Sequence, residues 1–111
     1  MAHNIQMPLA ENQLRFLRGK AHPLKPLILI GNAGLTDGVC AETDRVLADH
    51  ELVKVKVRGA ERAARDALLA DLARRTGSEL VQRIGHVGTL YRARPELPKL
   101  VLPDPKANAA A

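Results

Sequence analysis

From Ala10 to His22 the apolar residues Ala10, Leu14, Leu17 and Ala21 recur at three- and four-residue spacing, with Arg15, Arg18 and Lys20 on the other sides. That period predicts an amphipathic helix, ended by Gly19 or by Pro23 and Pro26. Leu27-Ile28-Leu29-Ile30 follows, a continuous apolar run between Pro26 and Gly31. Such a run predicts a strand buried in a sheet interior. Thr36 is a good N-cap with Asp37 in the first turn, and Val39, Cys40, Thr43, Val46, Leu47 and His50 then trace one helical stripe. Leu52-Val53-Lys54-Val55-Lys56-Val57 alternates with period two, the mark of a half-exposed strand.

A further helix is predicted from Glu61 to Arg75, with Ala64, Leu68, Leu69 and Leu72 inward and Thr76-Gly77 closing it. Leu80 to Ile84 and Val87 to Ala93 read as two strands joined by a tight turn at Gly85-His86. The order helix-strand-helix-strand-helix-strand-strand implies an α/β fold: a two-layer sandwich with a mixed four-stranded sheet. Residues 1–9 read as a flexible lead, 10–94 as the domain, and 95–111 as a Pro/Ala-rich tail whose Leu100-Val101-Leu102 could follow the sheet edge and whose end is loose.

A chain of 111 residues with 46% apolar content supports one core without a disulfide or metal staple. The only cysteine, Cys40, reads as a core residue and suits a reducing, cytoplasmic compartment. No apolar run approaches the ~20 residues that a membrane helix needs. The net charge of +5 points to a polyanionic partner. That charge is segregated. Arg15, Arg18, Lys20 and Lys25 crowd the first segment, Lys54 and Lys56 share one strand face, and Arg83, Arg92 and Arg94 lie on the hairpin. The helix from Thr36 to Glu51 carries Asp37, Glu42, Asp44, Asp49 and Glu51.

Gly31-Asn32-Ala33-Gly34 is a GxxG string, and with eight glycines chance supplies about half of one per chain. Its position says more. It joins a strand to a helix, where backbone N–H groups can face a phosphate and no Cβ bars the approach; it could equally be an ordinary turn. No Gly-Lys-Ser/Thr follows, and the glycine spacing is wrong for a dinucleotide fingerprint. His3, His22, His50 and His86 have no metal-ligand spacing with one another or with Cys40, so neither metal, cofactor nor catalysis is expected.

The run Leu17-Arg18-Gly19-Lys20-Ala21-His22-Pro23-Leu24-Lys25-Pro26, continued by Leu27 to Val39 through the glycine loop, resembles the CRM domain, named for chloroplast RNA splicing and ribosome maturation. Glu51 to Lys56 and Leu90-Tyr91-Arg92 also fit, and the likeness spans roughly Leu14 to Arg94, closest to the stand-alone bacterial form. The resemblance implies an RNA-binding domain folded like the C-terminal domain of translation initiation factor three. It also implies action on ribosomal RNA of the pre-large subunit; a monomer is expected, with ribosomal proteins as candidate further partners. The family's loop falls on Gly31 to Gly34, and its basic helix and turn on Arg18, Lys20, His22 and Lys25. Lys54, Lys56 and Arg92 complete the expected RNA-binding set. Only Phe16 and Tyr91 are aromatic, so a sheet that stacks several bases is not expected, and recognition should rest on phosphates and RNA shape. The alternative is a protein-interaction module that docks basic ribosomal proteins through the acidic helix.

Overall fold

The computed structural model describes residues 9–96 and 98–106. The expected flexible lead, apart from Leu9, and the last five residues lie outside the described residues. Seven elements appear in the expected order: α1 (Glu11–Ala21), β1 (Pro26–Ile30), α2 (Asp37–His50), β2 (Leu52–Val57), α3 (Arg62–Thr76), β3 (Glu79–Ile84) and β4 (Val87–Tyr91). Local chemistry sets their ends. The Gln13 side chain accepts from Ala10 N–H (2.9 Å) at the start of α1, and Thr36 Oγ1 accepts from Val39 N–H (3.1 Å) at the start of α2. Gly77 ends α3 in the left-handed region at φ 64°, with Ser78 N–H donating to the Ala73 carbonyl (2.9 Å).

The sheet order is β1-β2-β4-β3. β1 and β2 are parallel, and β4 is antiparallel to both neighbours. The hairpin therefore returns β4 into the gap between β2 and β3, which leaves β1 and β3 as edges. One face of this mixed sheet offers Ile28, Ile30, Val53, Val55, Val57 and Leu90 to Val46 and Leu47 of α2 and to Leu69 and Leu72 of α3. These two layers form the main core. Within it Leu68 is half-buried and Ala64, expected inward, is exposed. α1 lies against the opposite face, where Leu17 and Ala21 meet Leu52, Val81 and Tyr91 at one end only.

Two further expectations need correcting. The run Leu27–Ile30 suggests an interior strand, yet β1 is an edge whose Leu27 and Leu29 are 53% and 44% exposed. An apolar run reports on the residues but not on which neighbours the chain returns later. The described part of the tail also takes another course, and the end expected to be loose lies outside the described residues. Leu100 and Leu102 pack into the α1 cluster rather than along the sheet edge. Asn12 Nδ2 donates to the Asp104 carbonyl (2.7 Å), and Gln13 Nε2 donates to the Pro103 carbonyl (3.1 Å). Tyr91 of the hairpin is buried under α1. Burial, and next the Glu51 charge, hold its phenol above the usual tyrosine pKa.

Gly88 is the tightest point of the main core: a Cβ there would sit 2.6 Å from Leu69 Cδ1. Leu69 is fully buried, so any shift it makes must be taken up by its core neighbours. Gly88→Ala should therefore destabilise the fold by about 1–3 kcal/mol, the usual overpacking cost, in a chemical denaturation experiment. A variant as stable as the parent would show that Leu69 has room to move.

Candidate nucleic-acid interface

α1 gives way to β1 through a short basic turn. His22 caps α1, its N–H donating to the Arg18 carbonyl (3.1 Å), and Leu24 N–H reaches back to the Ala21 carbonyl (2.9 Å). Lys54 Nζ, rising from β2, donates to the Leu24 carbonyl at 3.1 Å and to that of His22 at 3.4 Å. Lys54 thus fastens the turn, and two of its three donors are used within the protein. The sequence shows it only as one cation of a strand face.

Around this turn run three adjoining concavities. The first, about 210 Å³, lies among Lys20, Leu24, His50, Leu52, Lys99 and Leu100. The second, about 180 Å³, is shared by Lys25, Leu27, His50 and Lys54. The third, about 260 Å³, opens onto the sheet and is lined by His22, Pro26, Lys54, Gln82, Ile84, Val87 and Thr89. No carboxylate lines any of them. His50 was expected in the inner stripe of α2, and Lys99 belongs to the tail and was not among the expected site residues, yet both face this groove. His50 lies in the exposed last turn of α2, so a three- or four-residue spacing alone could not place it.

The glycine loop sits at the other end of β1. Gly34 N–H donates to the Gly31 carbonyl (3.0 Å), closing a turn that leaves Asn32 and Ala33 exposed. Gly34, at φ 76°, is the position that needs glycine for its backbone. Asn32 leans toward the loop after β2, where a Cβ on Gly59 would lie 3.0 Å from Asn32 Oδ1. Arg58, exposed beside it, has its N–H on the Ile30 carbonyl (2.9 Å). Lys56 pairs in register with Leu29, on the open sheet face between the turn and the loop.

The expected site residues therefore fall into separate groups. Lys20, His22, Lys25 and Lys54 gather at the α1–β1 turn, Gly31 to Gly34 lie one strand length away, and Lys56 is between. Arg18 binds Glu11 at 2.7 Å. Arg92 is not brought to this face, because its guanidinium is held by the Asp44 carboxylate and by the Thr76 carbonyl at 2.9 Å.

Ion pairing divides the cations unevenly: among the described residues Arg15, Arg58, Arg62, Arg65 and Arg94 meet no carboxylate, and the other six arginines do. Arg18, Arg45, Arg74, Arg75, Arg83 and Arg92 each pair with a carboxylate. No lysine does so among the described residues, which include Lys20, Lys25, Lys54, Lys56, Lys99 and Lys106. The acidic helix is partly engaged in the same way: Asp44 holds Arg92, Glu42 lies 4.0 Å from Arg45, and Glu51 is fully buried. Among the described residues no three His, Cys, Asp or Glu side chains group as metal ligands.

A sequence profile of the CRS1/YhbY (CRM) domain matches residues 9–92. The chain belongs to this family. It is 44% identical over 95 residues to a protein of Haemophilus influenzae named "RNA-binding protein", covering 86% of this chain and 95% of the relative. It is also 44% identical over 90 residues to a Pseudomonas aeruginosa protein named "Probable RNA-binding protein", covering 81% and 86% respectively. The solution structure of a Staphylococcus aureus protein superposes with a TM-score of 0.76 at 34% identity, covering 86% of this chain and all of that one. The α/β fold of three helices and a mixed four-stranded sheet is thus common to that protein and this CRM chain.

The two β2 lysines should differ in stability terms. Lys54→Met removes two hydrogen bonds from an ammonium and should cost about 1–3 kcal/mol. Lys56→Met, at an exposed site, should stay within about 0.5 kcal/mol. Equal denaturation midpoints for the two variants would mean that Lys54 does not fasten the turn.

Proposed function

We propose that this CRM protein binds RNA, with its unpaired lysines contacting phosphates along the α1–β1 turn and the adjoining sheet face, and that it acts in assembly of the large ribosomal subunit. The observation that carries the reading is the contrast in ion pairing: six of the eleven arginines are tied to carboxylates, while none of the described lysines is, Lys54 bonding to backbone and Lys20 lying over the Phe16 ring. A free, strongly hydrated ammonium is suited to exchange water for a phosphate oxygen. The names of the relatives support RNA as the polyanion, and the family resemblance supports ribosomal RNA. Lys20, His22, Lys25 and Lys56, with Lys54 as fastener, form one arm of the interface, and Gly31-Asn32-Ala33-Gly34 forms the other. His50 and Lys99 extend the first arm. The protein is read as a cytoplasmic monomer without catalytic chemistry of its own.

The electrostatic part is tested by titrating an RNA fragment of the large subunit at several salt concentrations. If about four to six phosphates are neutralised, log K against log salt should fall with a slope of about −3 to −5. Lys20→Glu with Lys25→Glu should weaken binding and lessen the slope by about two, while the melt stays native-like because both side chains are exposed. A salt-independent affinity would overturn the mechanism, and an unaffected double variant would move the site elsewhere on the surface.

The loop is tested separately. Asn32→Asp with Ala33→Asp brings two negative charges to exposed turn positions and leaves Gly34 untouched. Aspartate suits turns and the approach to a helix N-terminus, so folding should survive. Binding should nevertheless fall strongly, through repulsion of the phosphate. A native melt with a parental isotherm would reduce the loop to a plain strand-to-helix turn.

A further inference from the structure

The uncovered half of the sheet is not a uniform basic surface. Register places Leu29, Lys56, Val87 and Ile84 in one row across all four strands. The next row toward α1 holds Lys54, Thr89 and Gln82, with Pro26 opposite Lys54. Beyond it the row of Leu52 and Tyr91 is already covered by α1. The step between the covered and uncovered rows is the 260 Å³ concavity. Its floor and outer wall are aliphatic (Pro26, Val87 and Ile84), with Ile84 69% exposed. Its accessible polar members are the Gln82 amide, the His22 imidazole and the Lys54 ammonium, with Thr89 buried at its base, and it has no carboxylate.

Resting on the RNA reading above, we infer that this concavity receives one unpaired base of a single-stranded RNA segment. The occupant follows from the combination of walls. A mostly apolar seat with one amide at its wall suits the face and edge of a nucleobase, since an amide both donates and accepts. The surrounding cations, Lys25, Lys54 and Lys56 with His22, suit the phosphates on either side of it. The volume lies just under the range of about 300–1,000 Å³ typical of drug-sized ligands, so there is room for one base and not for a stacked pair. A duplex offers no unstacked base and could touch only the rim. The inference amends the sequence-based expectation: scarcity of aromatics rules out a multi-base stacking platform, but aliphatic side chains on a sheet can still seat a single base.

The test compares oligomers of equal charge, of about twelve nucleotides, within the site sizes of single-strand binders. Single-stranded oligouridine and oligoadenosine are titrated beside versions with abasic residues through the centre, at one salt concentration. The parent protein should bind at least one intact oligomer about fivefold more tightly than its abasic version, the low end of what a stacked base contributes. Ile84→Ser and Gln82→Ala should each lower that affinity toward the abasic level while leaving abasic binding unchanged. Ile84 is exposed, so its variant should melt as the parent does. Salt-dependent binding with no preference for intact over abasic RNA in either series would overturn the inference and leave the phosphate reading standing. If the concavity receives an apolar side chain of a protein instead, both variants will bind every oligomer as the parent does, and the inference is overturned in the same way. Failure of the parent to bind any of the oligomers or the large-subunit RNA fragment would remove both readings.

Discussion

The Glu51 carboxylate accepts three backbone N–H groups from the returning chain: Arg94 at 3.0 Å, Lys99 at 2.7 Å and Leu100 at 2.8 Å. Glu51 is fully buried and has φ 63°, the only described non-glycine residue with positive φ. Such a backbone costs of order 1–3 kcal/mol unless its surroundings over-determine it. Here they do. Glu51 N–H donates to the Leu47 carbonyl (2.9 Å) to end α2, and its carbonyl accepts from Arg92 N–H (2.9 Å) just past β4. One residue therefore joins the end of α2, the start of β2, the exit from β4 and the tail. Charge-assisted bonds to three otherwise unpaired amides offset both the strain and the burial of the carboxylate.

What lies on the second sheet face depends on that junction. The tail held by Glu51 brings Leu100 and Leu102 against the α1 cluster, and its last described residues bond to Asn12 and Gln13. α1 is thereby clasped between the tail and the row of Leu52 and Tyr91, with Leu17 and Ala21 fully buried. It is short, eleven residues, and it covers one end of the face. The rows that begin at Lys54 and Lys56 stay open for that reason. The groove along the α1–β1 turn is the edge of this half-cover, and Lys99 reaches it only because the tail is held in place.

Most of what neighbours in sequence govern was legible before the fold was known, the inward faces of Ala64 and His50 excepted. The element order, the Thr36 cap, the Gly77 terminator, the alternation that puts Val53, Val55 and Val57 opposite Lys54 and Lys56, and the hairpin all follow from residues within a few positions of one another. What could not be read depends on pairing across long separations. β4 inserts between β2 and β3, so β1 becomes an edge and Leu27 and Leu29 are exposed. Glu51 looked like one more solvated acid, since its three partners lie more than forty residues away. Arg92 looked like a member of a positive patch, but Asp44, from the distant helix α2, holds it. Of the candidate site, the α1–β1 turn was legible as a motif, whereas the contributions of His50 and Lys99 required the fold.

The edge position of β1 has a mechanical consequence. Its five residues span about 16 Å at ~3.3 Å each. β2 holds it by a parallel ladder on one side, and its Ile28 and Ile30 are locked into the main core. The turn at one end is fastened by Lys54, and the loop at the other leads directly into the capped helix α2. The two groups of proposed contacts are thus kept apart by a rigid element and not by a flexible linker. Ordering a flexible surface would oppose association, whereas here the protein's conformational entropy has already been lost on folding. Phosphate contacts, individually weak and without sequence information, become selective when their spacing is fixed, because only a backbone path of matching length satisfies both ends at once. The exposed apolar residues Leu27 and Leu29 lie along that path. Leaving them uncovered follows from using an edge strand as the spacer.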